Sequence, residues 1–122
     1  MRGLRLFVRP IEATDQQDVQ AFLGRQGTAT APACGLLGKL LGDIVSVVSL
    51  EITADALLVE DVVVASDLRR KWIGRVMMGE VEQLAVKMDR RRVVVEDARD
   101  AQEFFRRTGF EREGEKWIRV VP

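Results

Sequence analysis

Residues 56–65 read Ala-Leu-Leu-Val-Glu-Asp-Val-Val-Val-Ala. A run this apolar and this rich in β-branched side chains suits a strand in the middle of a sheet, covered on both faces. It therefore demands neighbouring strands on either side and helices packed over it. The exception within it is the pair Glu60 and Asp61. Alternation along a strand sends consecutive side chains to opposite faces, so at most one of the two is expected to face any single cleft. Carboxylates set into such a run either have structural partners or perform chemistry, which makes Glu60 and Asp61 the best general-base candidates. Glu96 and Asp97, after the next apolar run, are the alternatives.

The rest of the chain supplies those neighbours. Residues 4–8 form a short apolar run broken by Arg5 and stopped by Pro10, an edge-type first strand. Thr14 with Gln17 three residues later forms a capping box. Asp15 and Asp18 suit the positive end of a helix dipole, and Val19, Phe22 and Leu23 give the buried stripe of a first helix ending near Gly24 and Gly27. Residues 26–35 have no period and read as a loop. Residues 35–41 and 43–53 are apolar runs parted by Gly42-Asp43, the pattern of an antiparallel hairpin.

Beyond the central strand, Ile73, Val76, Met77, Val81, Leu84, Ala85 and Met88 recur at spacings of three and four, which predicts a helix over 73–88. Residues 93–95 give another buried strand. A helix over 99–108 buries Ala101, Phe104 and Phe105 and is closed by Gly109. Residues 110–121 end the chain, with Gly114-Glu115 as a hairpin turn. The order predicts an α+β fold, a mixed and mostly antiparallel central sheet flanked by helices.

Composition narrows the function. The 122 residues fit a single domain, 1–122, and a chain of this size buries roughly two-thirds of its unfolded surface without staples. One cysteine, Cys34, excludes an internal disulfide, and the absence of His removes the usual zinc ligands and any Ser-His or Cys-His triad. No metal is expected. The 19 Lys and Arg balance the 19 Asp and Glu, so a nucleic-acid partner is not indicated. No run approaches the ~18 apolar residues of a membrane span, and residues 1–10 carry arginines rather than an apolar leader, so a cytoplasmic protein with no membrane partner is expected.

The densest charge is Arg69-Arg70-Lys71-Trp72-Ile73-Gly74-Arg75, four cations and no acid between the central strand and the long helix. Helix N-terminal N–H groups lack internal partners, so an Arg-rich strand-to-helix turn suits phosphate. Solubilising loop arginines are the plainer reading of the same charges.

Residues 62–78 resemble the acetyl-CoA-binding segment of the GNAT N-acetyltransferase superfamily, whose pattern of Arg or Gln, two residues, Gly, one residue, and Gly or Ala is matched by Arg69, Ile73 and Gly74. Ala101, Phe104, Phe105, Gly109 and Phe110 are similar to its second signature, and Val8-Arg9-Pro10 with residues 14–17 to its opening. The resemblance implies that backbone amides of residues 70–75 cradle the CoA pyrophosphate, with Arg69, Arg70, Lys71 and Arg75 adding charge. It implies that Val62, Val63 and Val64 run beside the pantetheine arm, where an N–H polarises the thioester carbonyl. The expected reaction is attack of a primary amine on acetyl-CoA, with a carboxylate or water taking the proton.

Three positions depart from the pattern. Trp72 replaces the first glycine of the phosphate motif; a ring packed on the neighbouring helix is the expectation, and stacking on the adenine or on the acceptor is the alternative. Phe105 stands where the family often has a Tyr that protonates the leaving thiolate, and the chain has no Tyr. Ala98 replaces a common Asn. These departures keep a second function open, a non-catalytic acetyl-CoA-binding module that regulates a partner protein. The acceptor, metabolite or protein, is not specified by the sequence, and an open acceptor side also suits a site completed by a second subunit, as in a homodimer.

Overall fold

The computed structural model describes residues 5–27, 31–69 and 72–122, so Arg70, Lys71 and the beginning of the expected first strand lie outside the described residues. The chain runs β1 (Phe7–Pro10), α1 (Gln16–Arg25), β2 (Gly35–Leu40), β3 (Asp43–Ile52), β4 (Ala56–Val64), α2 (Ile73–Lys87), β5 (Arg92–Val95), α3 (Gln102–Arg107), β6 (Glu111–Glu113) and β7 (Lys116–Val120). The strands form one sheet in the order β1-β2-β3-β4-β5-β7-β6. β4 and β5 pair in parallel, and every other neighbouring pair is antiparallel. This is the mixed, mostly antiparallel α+β arrangement that the pattern of apolar runs implies.

The core follows the periodicities. α2 buries Ile73, Met77, Met78, Val81 and Ala85 and packs against β2, β3, β4 and β5. α1 buries Val19, Phe22 and Leu23 and packs against β3. Leu57, Val59 and Val63 of β4 join the same apolar cluster, as its composition requires. Gly114 sits at φ +66 in the turn between β6 and β7, a left-handed backbone that suits glycine.

Two local expectations are corrected. The capping box at the head of the first helix is Glu12 with Asp15, not Thr14 with Gln17. A 3-10 turn over Ala13–Asp15 precedes α1, and the Asp15 carboxylate accepts the Glu12 backbone N–H at 2.7 Å. Arg9 selects this arrangement by clasping both Asp15 oxygens at 2.6 and 2.7 Å. The last helix is also shorter than its pattern, because Arg99–Ala101 form a 3-10 turn before α3.

Candidate active site

The site is built by two strands parting. β4 pairs with β5 only from Ala56 to Val59, opposite Arg92 to Val95. β5 stops at Val95 while β4 continues to Val64, so the outer part of β4 is bonded on its β3 side and free on the other. Ala65 donates its N–H to Val45 O at 2.8 Å, which makes this a hydrogen-bonded pair of the antiparallel ladder. Counting back along the register, Asp61 and Val63 also face β3, and the N–H and C=O of Val62 and Val64 point away toward the gap. Arg69 Nε donates to Val64 O at 3.3 Å from that open side.

The gap is a cleft of ≈ 880 Å³. One wall is β4 from Leu58 to Val64, the other is the chain after β5, from Glu96 to Ala101, with Phe104 and Phe105 of α3. Gly74, in the first turn of α2, also lines it. Among the described residues no side chain caps α2, and Val76 donates to Trp72 O at 3.1 Å. The N–H groups of Ile73, Gly74 and Arg75 therefore have no partner inside the helix, and anions are favoured at such an end. A Cβ at Gly74 would meet the Phe104 ring at 3.1 Å, so glycine here lets the start of α2 pass close to the cleft wall.

A β-bulge lies at the base of the free edge. Ser49 faces Asp61 and Leu50 faces Val59, leaving Glu60 as the extra residue. The expectation that alternation separates Glu60 from Asp61 is therefore corrected: a bulge re-aims the chain, and both residues are exposed and line the cleft. After β5, Asp97 accepts the Arg99 N–H at 3.1 Å, and Arg99 adopts φ +49, turning the chain out of the sheet.

Of the residues singled out in the sequence, the structure brings Glu60, Asp61, Val62, Val63, Val64, Arg69, Gly74 and Phe105 to this cleft, together with the alternative base candidates Glu96 and Asp97. Phe105 is buried, edge-on to Phe104 and Phe110 with ring centroids 5.1 and 5.4 Å away. Ile73 is buried in the core. Trp72 is at the N-cap of α2 and 43% exposed, less covered than the core side chains of that helix. Arg75 shares the Met78, Gly79 and Glu82 face of α2 and lines a smaller concavity of ≈ 420 Å³ with Arg107, away from the cleft. Glu51, Arg99 and Asp100 line the cleft without having been foreseen. Glu51 is brought there by the β3 and β4 pairing, opposite Leu58, a register that no local pattern specifies.

The family follows from the sequence itself. The chain belongs to the GNAT acetyltransferases: the sequence model described as Acetyltransferase (GNAT) domain matches residues 36–121. Solved structures share the fold at low identity. A GNAT-family acetyltransferase from Streptococcus pneumoniae superposes with a TM-score of 0.79 at 15% identity, over 97% of this chain and 100% of that one. The ribosomal-protein-S18-alanine N-acetyltransferase of Escherichia coli gives 0.74 at 12% identity, over 97% and 94%. N-acetylglutamate synthase from Neisseria gonorrhoeae, solved with coenzyme A and N-acetyl-glutamate, gives 0.79 at 13% identity, over 97% of this chain and 35% of that one. No curated protein sequence matches this chain. No helix among the described residues is long and apolar enough to cross a membrane.

Proposed function

We propose that this chain, as a single domain, binds acetyl-CoA in the cleft between β4 and β5 and transfers the acetyl group to a primary amine. The observation that carries the reading is the free edge of β4. A pantetheine arm is a chain of amides, and it can pair with the outward N–H and C=O groups of Val62 and Val64 as an added strand does. Extended that way, it delivers its pyrophosphate to the uncapped start of α2 beside Arg69, where helix N–H groups favour anions. Arg70 and Lys71 add positive charge nearby in the sequence, and the exposed Trp72 ring is available to the nucleotide.

The chemistry then needs few groups. An uncharged amine attacks the thioester carbon, forming an N–C bond while the carbonyl oxygen takes negative charge. The Val62 N–H, aimed into the gap, stabilises that oxygen. The C–S bond breaks, its electron pair leaves on sulfur, and Glu60 or Asp61 takes the proton lost by nitrogen. The thiolate needs no acid to depart, since a thiol has a pKa near 8.5.

Phe105 favours a second reading, a CoA-binding regulatory module, because its ring offers no proton where the family often places a hydroxyl. One assay separates the two. Incubation with acetyl-CoA and a panel of amines, read by free-thiol release, is expected to show amine-dependent turnover. Tight acetyl-CoA binding with no release above the amine-free rate would instead support the module.

A further inference from the structure

We infer that Gln26 is a positioning residue for the CoA phosphates: its side chain holds the turn that carries Arg69, and through that turn sets where the Arg69 guanidinium stands. The inference rests on acetyl-CoA binding in the cleft, as proposed above, and deepens it. β4 ends at Val64, and the chain passes at once into a 3-10 turn over Ser66–Leu68. The first N–H groups of such a turn lack partners within it, and Ala65, at its N-cap, has no side-chain acceptor to offer. The acceptor comes from 40 residues earlier: Gln26 Oε1 takes the Ser66 N–H at 3.1 Å.

Both ends of this tie are anchored. Gln26 closes α1, its own N–H bonded to Phe22 O at 3.2 Å and Leu23 O at 3.0 Å, and Phe22 and Leu23 are buried in the core. On the other side the Ala65 N–H is held by Val45 O at 2.8 Å, and the Leu68 N–H by Ala65 O at 2.9 Å. An exposed hydrogen bond between two loose segments contributes little against water, but here neither backbone has to be ordered to form it.

Arg69 follows this turn directly. Its Nε donates to Val64 O at 3.3 Å, and no ion pair holds its terminal nitrogens among the described residues. Gln26, Val64, Leu68 and Arg69 all line the one cleft. A turn that must be ordered when the ligand arrives weakens binding, whereas a turn already held does not. Gln26 therefore favours the phosphate end of the ligand without contacting the reacting atoms.

Gln26→Met keeps the reach of the side chain and removes the acceptor. Wild type and variant are titrated with acetyl-CoA and with acetyl-pantetheine, the same thioester without the nucleotide and its phosphates. The variant is expected to bind acetyl-CoA about fivefold more weakly, the scale of one net hydrogen bond, with acetyl-pantetheine binding unchanged. In turnover, KM for acetyl-CoA should rise and kcat should not. Because Gln26 acts through Arg69, Gln26→Met should cost nothing further in an Arg69→Ala background. Hydrogen exchange of the Ser66 N–H follows the tie itself: it should quicken in Gln26→Met and slow again in Gln26→Glu, which keeps an accepting oxygen. Unchanged acetyl-CoA affinity, equal loss for the two thioesters, or an undiminished loss in the Arg69→Ala background overturns the inference and leaves acetyl-CoA binding standing. Wild-type protein that binds no acetyl-CoA overturns that reading, and the inference with it. The expected contrast without amine-dependent thiol release supports the positioning role and overturns acetyl transfer.

Discussion

Asp15 is buried because Arg9 forks across both its oxygens and the Glu12 N–H closes on the same carboxylate. The Arg9 hydrogen bonds, then the Glu12 N–H, hold its carboxyl well below the usual carboxylate range. A carboxyl depressed on folding contributes stability that is complete above its unfolded value, about 3.9, and is lost as pH falls through the folded value. Asp15→Asn is therefore expected to lower Tm at neutral pH and to flatten the decline in Tm below about pH 4; an unchanged acid limb would remove Asp15 from the account. Gly109 makes a second residue-scale case. It sits at φ +94, and the Arg119 guanidinium lies over it, donating to Thr108 O at 2.9 Å with Nε 2.7 Å from Glu82. Gly109→Ala combines a strained backbone with a displaced guanidinium, an expected loss of about 1–3 kcal/mol by denaturant titration. The sequence marked Gly109 correctly as a helix end, but nothing local to it reveals that Arg119, ten residues on, needs the same space.

At the scale of elements, the free edge of β4 separates ligand binding from folding. The Val63 N–H belongs to the ladder with β3, whereas the Val62 N–H faces the cleft. Val63→Pro should destabilise the sheet strongly. Val62→Pro removes no ladder bond and should cost far less stability while weakening acetyl-CoA roughly tenfold, the worth of one good hydrogen bond. Melting curves and calorimetric titration on the pair check this; equal destabilisation would mean that both residues face β3. The elements themselves were legible because each carries its own period. Three-and-four spacing in residues 73–88 and β-branched continuity in residues 62–64 are properties of contiguous residues. The bulge at Glu60 was not legible, since it is a mismatch between two strands. Glu51, Arg99 and Asp100 escaped for the same reason, their place in the cleft depending on register and on where β5 stops.

For the whole molecule, family and fold could be read from motifs spread along the chain, because Arg69, Gly74, Phe104 and Phe105 line the cleft and Gly109 follows the end of α3. Charge over the cleft could not, since zero net charge does not say which charges line it: Arg69 and Arg99 do, with Glu51, Glu60, Asp61, Glu96, Asp97 and Asp100. The central claim is that the parted strands hold acetyl-CoA, and amide-resolved titration with acetyl-CoA tests it directly. The account predicts the largest shifts at residues 60–64, 69, 74 and 104–105, and a stabilisation of about 2.7 kcal/mol at a hundred times Kd. Unchanged spectra and melting at saturating ligand, or shifts confined to the Arg75 and Arg107 concavity, would contradict it.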